Sequence, residues 1–360
     1  MKRIFTKSIS VALMCMLLTV MMIFSGCNSG SKATNFFESI QELQDVQKYD
    51  FEVDVNFKSG TQSAVIEIDG TYNNEKSMMA TATVKSGAMT IKLGEIIFDG
   101  NRIYIDIKEL LSTMGSSAIL DGKDYIYIDL KELTSLAAMS GAEMPDLTDL
   151  SAYTEASKTI TNKLYEILGE AAKDVKPEIL GKDGNKFTLT INEENFVDYI
   201  RNIVYVLVDE QDWIVSTLPE LLEDAGLSEV ADLIYDNESD IIDALETAAE
   251  EVKEDPEISF SADEGFEISA YSELKTDGGR AWDIGMEISM MSPEVDGLFT
   301  LNGNSADLSF NTTITENAGD KPITEVDEDN AISFMTVMMS SMSSMPSTDD
   351  STDDLYSSLI

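Results

Sequence analysis

The chain contains no histidine, two cysteines, and only 24 lysines and arginines against 67 aspartates and glutamates. Each scarcity removes a class of chemistry. Without imidazole there is no Ser-His-Asp or Cys-His nucleophile, no histidine zinc site and no proton shuttle titrating near neutrality. The shortage of base leaves a formal charge of −43, which repels phosphate backbones and argues against nucleic acid as a partner. Also missing are a Gly-x-Ser-x-Gly elbow, a glycine-rich phosphate loop and the kinase motifs. Carboxylate and lysine chemistry remain, but 67 acids make chance pairs so common that none can be singled out as a glycosidase couple. The sequence therefore predicts no enzyme and no cofactor.

The most informative stretch is at the start. Lys2, Arg3 and Lys7 precede an apolar run from Ile9 to Phe24, which closes on Ser25-Gly26-Cys27. A basic start, an apolar middle and small residues before a cleavage point mark a secretory signal peptide. A membrane-spanning helix fits less well, because spanning takes roughly 20 apolar residues and Ser10 and Thr19 interrupt this shorter run. Phe24-Ser25-Gly26-Cys27 resembles the bacterial lipobox, with Phe24 standing where that motif usually has leucine or another aliphatic residue. The resemblance implies that the Cys27 thiol is alkylated with diacylglycerol. It also implies that a peptidase recognising Phe24, Ser25 and Gly26 removes residues 1–26. Cys27 then becomes an acylated N-terminus on the extracytoplasmic face of a bacterial membrane, and two acyl chains hold a protein there durably.

Processing would take away three bases and no acid, moving the net charge from −43 to −46. Cys15 would leave with the signal, so the mature domain has no disulfide and is held by its core alone. The absence of histidine and of paired cysteines is consistent with a Gram-positive surface. One reading is therefore an acidic envelope interaction module that selects a basic partner and has no small-molecule ligand.

Residues 27–34 read as the lipidated cysteine and a short polar tether, whose seven residues after Cys27 reach about 25 Å when extended. Asn35 is placed to cap a helix carrying Phe36, Phe37, Ile40, Leu43 and Val46. Period-two alternation then predicts strands at 51–57, 64–72, 79–84 and 89–93. An internal repeat follows. Ile103-Tyr104-Ile105-Asp106-Ile107-Lys108-Glu109-Leu110 recurs at 126–133, each copy after an Asp-Gly and each read as a strand entering a helix. Asp106 and Asp129 suit N-caps, where a carboxylate also meets the positive end of the helix dipole. The competing reading makes them paired catalytic or calcium carboxylates, but no further acid completes a calcium loop.

A helical section spans about 134–253, broken by a hairpin with strands at 178–180 and 187–191. Its stripes include Tyr153, Ile160, Leu164, Ile167 and Leu168, and a second helix that Asn192 is expected to cap. Strands are predicted again at 266–271, 281–288, 297–301 and 306–313, and a last edge strand at 321–324. Strands, helices and strands in one chain indicate an α+β domain over 35–325. The expected architecture is a curved antiparallel sheet packed against amphipathic helices. Residues 326–360 read as a tail rich in Met, Ser and Asp. Within it Met339, Met342 and Met345 have a spacing that soft thioether ligation of Cu(I) could use, against the plainer reading of an amphipathic helix.

A lipobox, a tether, an N-terminal helix, successive strands, inserted helices and a return to the sheet resemble bacterial lipoproteins of the LolA/LppX-like half-barrel superfamily. The Ile-Tyr-Ile-Asp-x-Lys-Glu-Leu phrase after Asp-Gly is the most characteristic local feature of the likeness. The resemblance implies a half-barrel-like sheet around an apolar space, and a membrane-anchored protein that binds or carries a lipid or another hydrophobic molecule. It brings no ligand residues across.

Overall fold

A computed structural model describes residues 33–59, 62–74, 76–87, 89–108, 122–132, 151–254, 266–276, 279–291 and 305–337. The lipobox, the expected strand at 297–301 and the Met339-Met342-Met345 spacing lie outside the described residues.

The strands are β1 (Tyr49–Ser59), β2 (Gln62–Asn74), β3 (Ser77–Ser86), β4 (Met89–Phe98), β5 (Arg102–Asp106), β6 (Tyr125–Asp129), β7 (Leu180–Asp183), β8 (Lys186–Asn192), β9 (Glu267–Lys275), β10 (Ala281–Met291), β11 (Ser305–Glu316) and β12 (Ala331–Ser333). The helices are α1 (Phe36–Gln41), α2 (Ser151–Ala172), α3 (Phe196–Asp209), α4 (Leu218–Asp224), α5 (Ser228–Asp236) and α6 (Glu238–Glu254). The fold is α+β. The twelve described strands form one open sheet in the order β12-β6-β5-β4-β3-β2-β1-β11-β10-β9-β8-β7. The N-terminal strand thus lies inside the sheet, between β2 and β11.

Helices α1, α2 and α3 cover one face at the β1 and β11-to-β8 end. Phe36, Phe37 and Ile40 of α1, Tyr165 of α2 and Tyr199 of α3 are buried against Phe51, Phe187, Leu189, Trp282, Met286 and Phe310. As expected, Asn35 caps α1: the Glu38 amide donates to Asn35 Oδ1 at 3.0 Å. Among the polar contacts in this core is a 2.9 Å hydrogen bond between the hydroxyls of Ser39 on α1 and Ser272 on β9. A second, smaller core lies on the opposite face at the other end. There Ile97, Tyr104 and Ala331 are covered by Ile323 and Val326 from the segment that follows β11.

Several expectations need correction. The sheet is not wholly antiparallel, because β12 pairs in parallel with β6. Residues 321–324 form no strand; the chain there is held through the Asn73 side chain, which donates to the Lys321 carbonyl at 2.9 Å and accepts from its amide at 2.8 Å. The last edge strand is therefore β12, within the segment read as tail. The hairpin expected within the helical section is present between α2 and α3, and it extends the sheet, with β8 paired to β9. Its first strand runs from Leu180 to Asp183, because Gly184, at φ 62°, supplies the left-handed turn residue that sets the register.

Asn192 does not cap α3. Its side chain accepts from the Glu194 amide at 3.0 Å, its own amide donates to Asn195 Oδ1 at 2.8 Å, and Asn195 is the residue before the helix. Tyr153, expected on the apolar stripe of α2, is exposed, while Ala156, Tyr165 and Ala171 are buried.

Candidate functional site

Across a strand pair, directly opposed residues share a face. Opposed positions can be followed from β9 to β12 as Leu274, Trp282, Ile314 and Phe51, then Gly70, Ala80, Ile96, Ile105, Ile126 and Ile332. Every one is apolar or glycine. The next row along is apolar at Val53, Ile68, Ala82 and Ile284 but polar at Thr312 and Ser272, and on the other side Tyr72, Met78, Phe98, Ile103 and Ile128 continue the apolar surface. One face of the sheet is thus apolar across ten strands.

The described helices cover only part of it. Trp282, Ile314 and Phe51 are buried beneath α1 to α3, whereas Ile66 is 38% and Ile96 40% exposed, with Met89 and Leu93 also open to solvent. No described helix makes an extensive contact with β2 to β6. The middle of the half that the described helices leave open is lined by small residues, Gly70, Ala80, Ala82 and Gly94, between the larger Phe51, Ile66, Ile96 and Phe98. Gly70 is required there, since a Cβ would meet the Phe51 ring at 2.2 Å. Gly94 carries the β4 bulge with φ 89°, and a Cβ would lie 2.0 Å from the Asp106 carbonyl oxygen.

A cleft of about 460 Å³ lies between α1 and α2, lined by Phe37, Lys163, Tyr165, Glu166, Lys173 and Trp213 among others. The buried Tyr165 hydroxyl finds no hydrogen-bond partner among the described residues, and burial pushes its pKa up. Lys163 pairs with Glu210 at 2.9 Å and Glu166 at 3.3 Å, and Lys173 pairs with Glu170, so the cleft offers little unpaired positive charge.

The repeat aspartates act as turn and cap residues. Asp106 Oδ1 accepts from the Lys108 amide at 3.0 Å, and Asp129 Oδ1 accepts from the Lys131 amide at 2.9 Å. Residue pairing puts the two at opposite ends of the β5-β6 pair, Asp106 facing Tyr125 and Asp129 facing Arg102. Four residue steps, about 13 Å, separate them along the strands, too far for a carboxylate couple. Among the described residues no group of three or more acids or cysteines is placed to hold a metal.

Arg102 joins the repeat to the segment after β11. Its guanidinium reaches Asp129 at 3.3 Å and Glu328 at 2.7 Å and lies 4.8 Å from the centre of the Tyr127 ring. That junction was not visible in the sequence, since 226 residues separate Arg102 from Glu328. The apolar face was legible strand by strand as alternation, but its continuity follows from strand order, which alternation alone leaves open.

No family model, curated protein or solved structure matches the chain.

Proposed function

We propose that this chain is a lipid-anchored extracytoplasmic protein that holds a lipid or comparable hydrophobic molecule against the uncovered half of its sheet. The supporting observation is the apolar row that leaves the helix-covered core at Phe51 and continues through Gly70, Ala80 and Ile96 to Ile332. Contiguous exposed apolar surface on a soluble domain marks a place for a ligand, a partner or a membrane. Twist accumulates over many strands, and a half-barrel curvature of β2 to β6 would bring the small residues of β3 to the floor of a trough. Anchoring through Cys27, with the lipobox as its basis, would keep that trough close to the bilayer from which a lipid could be taken.

Native mass spectrometry of residues 28–360 purified from a lipid-containing host, followed by denaturing spectra, tests the ligand. A dissociable mass in the lipid range is expected, and it should be lost when Ile66 and Ile96 are both changed to Asp. A bare protein that also fails to take up a fluorescent fatty acid would sink the reading. The anchor is tested separately: Cys27→Ser should abolish incorporation of labelled fatty acid and release the protein from the membrane fraction. Unchanged fractionation and labelling would exclude Cys27 as the lipidated residue.

A further inference from the structure

The helical lobe beyond α3 has a different character from the sheet. Residues 209–254 contain sixteen acids and a single base, Lys253. Among the described residues, no ion pair neutralises any carboxylate from Asp212 to Glu251. Nor do these acids converge as metal ligands. Like charges gathered without counter-charge work against the compact state.

The lobe also exposes apolar side chains. Proline at 219 cannot donate to the ladder, and the helix widens just before it: the Leu218 amide bonds the Trp213 carbonyl across a π turn at Trp213–Thr217. Helix α4 then ends at Gly226, where the Gly226 amide donates to the Glu223 carbonyl and the Leu227 amide to the Leu222 carbonyl, both at 2.8 Å. With Gly226 at φ 77° this is a Schellman close. The turn sets α5 with Ala231 fully buried and the opposite side outward. Val230 and Leu233, one turn apart, are 45% and 64% exposed. Glu229, Asp232 and Asp236 flank them, all exposed.

We propose that the outward side of α5 is a docking surface for a lysine- or arginine-rich amphipathic segment of a protein partner. Val230 and Leu233 are its apolar anchors and the surrounding carboxylates its rim. Charge selects this occupant. A second copy of the chain would bring the same uncompensated acids face to face, and an anionic lipid surface would be repelled in the same way. A partner presenting leucines between lysines satisfies both features, since apolar contacts at a patch centre supply affinity while opposite charge at the rim supplies rate and selectivity. The site is separate from the sheet face and does not rest on the lipid reading.

The test uses the full mature chain, residues 28–360, and a short helical Leu/Lys peptide, with the same peptide carrying Ser in place of Leu as control. Fluorescence anisotropy should show saturable binding of the Leu/Lys peptide that weakens as salt rises from about 0.05 to about 0.5 M. Val230→Ser with Leu233→Ser, which changes no charge, should weaken binding about tenfold, as loss of two partly buried apolar contacts implies. The Ser control peptide should bind weakly and equally to both proteins. Equal binding of the two peptides would overturn the proposal in favour of a diffuse acidic surface. An affinity insensitive to V230S/L233S but lost on changing Ile66 and Ile96 would overturn it by placing the peptide on the sheet.

Discussion

Ser39 and Ser272 are both sealed from solvent, and their hydroxyls bond one another across the α1–β9 contact. Removing one hydroxyl leaves the other buried without a partner, which costs more than removing both. Ser272→Ala is therefore expected to destabilise the fold by about 1–3 kcal/mol, and the double change with Ser39→Ala by less than the two single losses added. Urea denaturation of the single and double variants measures the coupling; strictly additive losses would show that the hydroxyls do not depend on one another. Residue-scale signals differed in how openly the sequence carried them. Asn35 and Asp129 cap through their nearest amides, so position alone revealed them. Asn192 and Asn195 are both cap-type residues three apart; the helix begins after Asn195, yet neither side chain accepts from an amide of α3, because Asn192 Oδ1 takes the Glu194 amide and Asn195 Oδ1 the Asn192 amide.

At the scale of elements, the segment from Asn317 to Ser333 acts as a strap across the outer face of β1 to β6, and its fastenings are ionisable. Burial works against the Asp50 carboxylate, but hydrogen bonds from Thr71, Asn317 and Lys321 outweigh it and hold its pKa below the ordinary value. The Asn330 amide group and then Lys108 do the same for Asp124. A carboxylate with a depressed native pKa contributes its full stabilisation above the unfolded value of about 3.9 and loses it as pH falls through the lower native value. Exchange of the β12 amides, corrected for intrinsic rates, should therefore show protection falling below about pH 4. Asp50→Asn with Asp124→Asn should flatten that dependence, and an unaltered profile in the double variant would assign the strap's stability elsewhere. The sequence showed the strands best where alternation is uninterrupted, as in β1, β8 and β10. In β4 the bulge at Gly94 breaks the phase, so the readable pattern stops at Leu93 although the strand runs on to Phe98. Strand β12 has three residues and no alternation to read; it exists because Asn330 and Arg102 bring the chain to β6.

For the whole molecule, charge is the dominant unbalanced quantity. A formal −43 distributed with few ion pairs in the α4-to-α6 lobe opposes compaction, and added salt shortens the reach of that repulsion from about 30 Å at 0.01 M to about 3 Å at 1 M. The Tm is expected to rise with sodium chloride over this range, and a fall would show that the attractive pairs around Arg102 and Lys321 outweigh the repulsion. Strand order has a consequence of another kind. Tyr49 pairs with both Tyr72 and Glu316, so one edge of the first strand stays open until the last quarter of the chain has arrived. Such distant pairing makes assembly slow. A chain emerging across a membrane would hold Tyr49–Ser59 as an unsatisfied edge throughout, and one cut short before β11 would present that edge to its neighbours instead of a working remnant.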